Sequence, residues 1–182
     1  MTELPILPAG DPRLRRKASP VLDLGSPELG AGIALLHEVL ERFRAIYGFG
    51  RAIAAPQLAI PLRLVAMNLG SAPLTLINPE ILERSPETLT LWDDCMCFPD
   101  RLVRVERHRS ISVAFLDPDG REHRWPWLDE ARSELLQHEI DHLDGVLALD
   151  RAQSPEDVVP VAEFEADRER FLARVSYRAN RP

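Results

Sequence analysis

Cysteine is scarce in this 182-residue chain, which carries only Cys95 and Cys97. They stand two positions apart, where a mutual disulfide would be badly strained, so a disulfide scaffold is excluded. Long apolar runs are missing too. There is no stretch of about 18 apolar residues and no N-terminal apolar segment with a basic start, so neither membrane spanning nor export is indicated and a cytoplasmic protein is expected. Positive charge is in deficit, with 22 Lys and Arg against 29 Asp and Glu and a net charge of −7. A phosphate-tracking surface needs clustered bases, so a sequence-specific nucleic-acid partner is not expected. Internal repeats and low-complexity tracts are absent as well. What the chain does have is a 45% hydrophobic content, enough to bury a core without cross-links in one domain over residues 1–182.

Residues 6–21 are rich in Pro and charge and read as an extended lead-in. Ser26-Pro27 is a helix start, because serine caps free amides and proline is tolerated in the first turn. Leu29, Ile33, Leu36, Leu40 and Phe43 then recur at helical spacing, predicting a helix to about Ile46 that Gly48 and Gly50 terminate. After a loop from Gly48 to Ala59, short turn-bounded strands are predicted at 62–67, 74–77, 88–92 and 101–107. Segments 110–116 and 121–127 flank Asp117-Pro118-Asp119-Gly120 and read as a hairpin. Asp129 can cap a second helix that Gly145 stops, with Ala131, Leu135, His138 and His142 on one face. Ser154-Pro155 is a further helix start. Val161, Phe164, Phe171, Leu172 and Val175 could form one stripe of a terminal helix, with the arginines after Phe171 as a solvated end.

The second helix carries the chemistry. His138-Glu139-Ile140-Asp141-His142 is a His-Glu-x-x-His pattern, which sets two imidazoles one turn apart, about 6 Å along the axis, where both reach one ion. Glu139 points to the side of that pair and can hold a water without being a ligand, which suits a general base. A lone histidine on such a face is usually a satisfied core residue; a pair in register around a glutamate favours a metal. The third ligand is open from spacing alone. Asp144, Asp150 and Glu156 lie downstream, where zinc peptidases with this helix take theirs, while upstream Cys95 would give a Cys-His-His site with a fourth position for water.

Three blocks carry a family resemblance. Gly50-Arg51-Ala52-Ile53-Ala54-Ala55-Pro56-Gln57, Asp93-Asp94-Cys95-Met96-Cys97 and Gln137-His138-Glu139-Ile140-Asp141-His142 resemble, in order, the peptide deformylase motifs Gly-x-Gly-x-Ala-Ala-Pro-Gln, Glu-Gly-Cys-Leu-Ser and Gln-His-Glu-x-Asp-His. Smaller matches include residues 11–15, 77–81 and 143–151, so the similarity spans residues 5–151 and leaves 151–182 as a terminal helical extension. The resemblance implies an α+β fold, with antiparallel or mixed sheets around a central metal-binding helix, an N-terminal helix and a C-terminal helix docked outside. It implies one divalent metal ion, Fe2+ in the cell with Zn2+ or Ni2+ accepted, bound by Cys95, His138 and His142. Glu139 is then the acid/base, and Gln57 and the Met96 backbone amide hydrogen-bond the formyl oxygen. The implied substrate is a formylated peptide or nascent chain, with a transient ribosome contact and no membrane partner.

Several positions depart from the family pattern. Ala52 and Ala59 replace glycines, Asp93-Asp94 replaces Glu-Gly, and Cys97 replaces serine. Asp94 adds a side chain where family backbone lies near bound peptide, and a positive φ there would be strained. Asp93 is expected to pair with Arg107. Cys97, on the other side of an extended chain from Cys95, reads as a packing residue rather than a fourth ligand, which would close the site. These departures motivate an alternative: a deformylase-like metal-binding protein with altered acyl or peptide specificity, or with no hydrolase activity.

Overall fold

A computed structural model describes residues 4–70 and 72–179. Helix α1 spans Pro27–Tyr47, opened by Ser26, whose hydroxyl accepts from the Leu29 amide at 3.2 Å, and closed by Gly48 in the left-handed region. Its buried face, Leu29, Leu36, Val39, Leu40 and Phe43, packs on Ile53, Leu64 and Ala66, and Ile33 lies partly buried beside them. The lead-in is not wholly extended: Asp11 caps a single 3-10 turn over Pro12–Arg15.

Two antiparallel sheets follow. One has the order β1-β2-β3-β6-β7, built from Ala52–Ala54, Leu64–Met67, Leu74–Arg84, Ile111–Leu116 and Glu122–Trp125. The other has the order β4-β5-β8, built from Thr88–Asp94, Arg101–His108 and Val158–Pro160. The hairpin over Asp117–Gly120 joins β6 to β7 as expected. Strand β1 lies inside the predicted loop; all three residues are buried, so no alternation betrays it. Strand β3 runs past Ile77 to Arg84 through a register shift. There Asn78 takes φ 51° and its side chain bonds both the amide and the carbonyl of Val21, which lets the strand absorb Pro79 as a bulge.

Helix α2 spans Glu130–Leu143, capped by Asp129, which accepts from the Arg132 amide at 2.8 Å. It ends at Gly145, where φ is 77° and a Cβ would lie 2.6 Å from the Arg15 carbonyl oxygen, so only glycine fits. Leu135, Leu136, Ile140 and Leu143 pack on Ala52, Ala54, Val65, Leu76 and Val113 of the first sheet. The other side of the helix faces the second sheet. Gln137 clamps the backbone of His108 there, accepting from its amide at 2.9 Å and donating to its carbonyl at 2.8 Å. The helix is thus enclosed from both sides, and its polar side chains must find partners inside the protein.

The C-terminal region differs from the single stripe expected. Ser154-Pro155 opens only a 3-10 turn, β8 follows, and the helix is delivered in two short pieces, α3 Val161–Ala166 and α4 Arg168–Leu172, separated at Asp167 with φ −144°. Phe164 and Phe171 pack against Trp92 of β4. Arg174 is no solvated end: it pairs with the buried Asp157 at 3.3 Å and sits over the Trp92 ring. Arg178 is exposed, and Arg181 lies outside the described residues. Among the described residues no helix is long and apolar enough to cross a membrane.

Candidate metal centre

Strand β4 ends at Asp94 and the chain turns at once, the Phe98 amide donating to the Cys95 carbonyl at 3.1 Å. This turn aims the Cys95 thiol at α2. The His142 Nε2 lies 3.3 Å from Cys95 Sγ and 3.2 Å from His138 Nε2. All three residues are buried, and their donor atoms fall within 4.8 Å of one another. Donors held about 2.0–2.3 Å from one tetrahedral centre would stand roughly 3.4–3.7 Å apart. The cluster is therefore close to ligation spacing, and one divalent cation fits its donor chemistry. The downstream carboxylates do not join it: Asp144 pairs with Arg63 at 2.7 Å, Asp150 pairs with Arg15, and Glu156 is exposed.

The imidazoles are held from behind. His138 Nδ1 bonds Asp93 Oδ2 at 2.9 Å, and the same oxygen accepts from Arg107 Nη2 at 2.8 Å, so the expected Asp93–Arg107 pair is present. With a proton on Nδ1, His138 presents the lone pair of Nε2 to the cluster. Arg107, itself buried, also donates to Asp141 at 2.9 Å, and Asp141 is held in turn by Arg151. Asp141, the acid inside the histidine motif, thereby ties the helix to β5.

Glu139 is 3% exposed, and its Oε2 has no hydrogen-bond partner among the described residues. It lines a cavity of about 300 Å³ together with Gln57, Cys95, Met96 and His138. Gln57 is oriented by the Ala54 amide, which donates to its Oε1 at 2.8 Å, so its Nε2 points at the thiols, 3.8 Å from Cys95 Sγ and 3.6 Å from Cys97 Sγ. Met96 lies in the turn after Cys95. Its side chain seats against Gly50, where φ is 118° and a Cβ would come within 2.7 Å of the Met96 methyl, so glycine is required there. The turn also corrects the reading of Cys97. It does not project opposite Cys95; both sulfurs meet the Gln57 amide, although Cys97 stands outside the cluster of three donors.

Burial dominates the electrostatics. It lifts Glu139 to about 7, with His138 pulling the value back and Asp93 adding to the rise. It pushes the Cys95 thiol well above its ordinary value and His142 well below. For His138 burial acts downward too, but Asp93 outweighs it and raises the imidazole to about 9. A cation among these donors would displace the His138 Nε2 proton and favour the Cys95 thiolate.

Two features of the cavity were missed in the sequence. Glu134 and Arg51 form a buried ion pair at 2.5 Å on its wall, where burial lifts Glu134 to about 7 against the pull of Arg51. Glu134 precedes His138 by four residues, and that spacing could have placed it on the same face. The Asp94 charge acts on Arg51 as well. Asp94 takes no positive φ, being the last residue of β4, so the anticipated strain is absent. Ala59 does carry strain, with φ 62° where glycine would be relaxed. The second missed feature is that Phe164, Arg168, Leu172, Val175, Tyr177 and Arg178 of the C-terminal region line the same cavity.

The family model described as polypeptide deformylase matches residues 3–158. A peptide deformylase of Thermotoga petrophila is 38% identical over 144 residues, covering 78% of this chain and 82% of the relative. A peptide deformylase from Synechococcus elongatus, solved in complex with actinonin, superposes with TM-score 0.77 at 30% identity, covering 86% of this chain and 84% of that one. A class I type b peptide deformylase from Acinetobacter baumannii, solved with Met-Ala-Ser bound, gives TM-score 0.73 at 28% identity over 82% of this chain and 98% of that one. The match covers both sheets' central strands, α1 and α2 and every residue of the donor cluster, and on that ground the chain belongs to the polypeptide deformylase family.

Proposed function

We propose that this protein hydrolyses the N-terminal formyl amide of formyl-methionyl peptides, with Cys95, His138 and His142 holding one divalent cation. The observation that carries the reading is the convergence of one thiol and two imidazole nitrogens beside the buried carboxylate of Glu139, whose Oε2 has no hydrogen-bond partner among the described residues. When bound, such a cation supplies Lewis acidity, polarising a carbonyl oxygen and bringing the pKa of water down to about 7. The chain's own residues do the rest. Glu139 takes a proton from the attacking water and returns it to the departing amine, its high proton affinity in the buried cavity matching it to both transfers. Gln57 Nε2, fixed by the Ala54 amide, and the Met96 amide in the turn donate to the oxygen that gains charge as the formyl carbon becomes tetrahedral. Asp93 keeps His138 in the tautomer that presents Nε2.

Ferrous iron is the ion of this reading, with zinc or nickel able to replace it, and the substrate is the N-formylated form of a peptide such as the Met-Ala-Ser bound to one relative, which itself has the form of the product. A cytoplasmic setting fits a substrate made there. The test is turnover of formyl-Met-Ala by the iron-loaded chain. Formate release that tracks metal occupancy supports the proposal. Full occupancy without formate favours instead a metal-holding protein that recognises rather than cleaves.

A further inference from the structure

A second cavity, of about 280 Å³, lies on another face of α2 and shares no lining residue with the first. Asp141 and Asp144 reach it from the end of the helix. Arg84 of β3, Arg107 of β5 and Arg151 of the 3-10 turn Ala148–Arg151 surround them. The two carboxylates already have their cations. Asp141 accepts from Arg107 and is held by Arg151, and Asp144 pairs with Arg63 at 2.7 Å.

The arginines still have donors to offer. Arg107 is 3% exposed, its two terminal nitrogens are bonded to Asp141 and Asp93, and its Nε has no hydrogen-bond partner among the described residues. Such a nitrogen can only donate, so burial leaves it in need of an acceptor. Arg151 holds Asp141 through Nε and Nη2, which leaves Nη1. Arg84 is exposed and forms no ion pair among the described residues. The opposing charge on the lining is Glu106, which is also exposed and has no ion pair among the described residues.

We propose that this second cavity binds a small tetrahedral oxyanion, phosphate or sulfate, between Arg84, Arg107 and Arg151. Guanidinium groups on several sides suit such an anion, because its oxygens accept charge-assisted bonds from more than one direction at once. Thr88 brings a hydroxyl to the same lining. The anion would stand behind the metal centre rather than in it. Arg107 also carries Asp93, and Asp93 positions His138, so the bound anion joins the hydrogen-bonded chain that ends at the donor cluster. The catalytic cavity stays open to substrate, and the inference holds whether or not the chain is a deformylase.

The experiment titrates sulfate into the zinc-loaded chain by calorimetry, with ionic strength held constant by chloride. Two charge-assisted hydrogen bonds correspond to a dissociation constant of about 1 mM, and saturable binding near that value is expected. Arg84→Ala should weaken it about tenfold, while Glu106→Gln, which removes the opposing charge, should tighten it several-fold. Both side chains are exposed, so both variants should keep the fold, and thermal unfolding checks this. No saturable binding in the unaltered chain, or one affinity in all three proteins, overturns the proposal. Displacement of the sulfate by the unformylated peptide Met-Ala would place it at the metal and overturns it too. None of these readings depends on turnover, so failure to cleave formyl-Met-Ala counts against the deformylase reading alone.

Discussion

Exchange of Glu139 for glutamine is expected to lower turnover of formyl-Met-Ala by about 10²–10⁴-fold, the range of a lost general acid/base, while one equivalent of metal stays bound. The separation follows from the geometry. Glu139 lies in the cavity beside the three donors but is not one of them, and no side chain of the described residues satisfies its Oε2. Glutamine preserves shape and removes the proton acceptor. The pH profile should change with it. The base must be ionised to take a proton, so activity rises with pH through the Glu139 pKa. Burial places that pKa near 7 without a cation, and a neighbouring divalent charge favours the carboxylate and moves the acid limb below 7. Kinetic assays of metal-loaded wild type and Glu139→Gln from pH 5 to 9, with metal content measured in parallel, check both statements. Loss of the metal together with the activity would make Glu139 a ligand and refute its role as base.

The second large effect is on stability. Arg107→Met should destabilise the fold by about 3–5 kcal/mol, because removing one partner of a buried ion pair leaves the other charge uncompensated. Arg107 is 1% exposed at its side chain and carries Asp93 at 2.8 Å and Asp141 at 2.9 Å. Asp141 keeps Arg151, so the deprived group is Asp93, whose carboxyl is held below the usual range by His138 and Arg107 against the effect of burial. Metal affinity should fall about 10–100-fold as well, since Asp93 orients His138. Urea denaturation and metal titration measure the two effects. In an Asp93→Asn background the stability loss should shrink, because the stranded charge is already gone. Equal losses in both backgrounds would mean that Arg107 acts by packing alone.

Much of this site was legible because its spacing is set by helix geometry. His138 and His142 lie four apart, Asp129 and Gly145 bound the helix, and Cys95 follows a strand, all of which local chemistry writes into the sequence. The Asp93–Arg107 pair was legible through its resemblance to a known motif. What could not be read were consequences of tertiary closure. The buried Ala52–Ala54 strand shows no alternation, since it is covered on both faces. Cys97 was assigned to the far side of an extended chain, yet the 3.1 Å bond from the Phe98 amide to the Cys95 carbonyl folds that chain into a turn. Arg174 looked like solvated charge because its partners, Asp157 and Trp92, lie far away in sequence and meet it only after the two terminal helices dock.

The central claim is that one sulfur and two imidazoles hold a cation with a position left for solvent. X-ray absorption of the zinc-loaded protein tests it most directly. One sulfur at about 2.3 Å, two nitrogens at about 2.0–2.1 Å and one exchangeable light atom are predicted. A second sulfur, bringing Cys97 into a closed four-coordinate shell, or a shell with no sulfur at all, would contradict it.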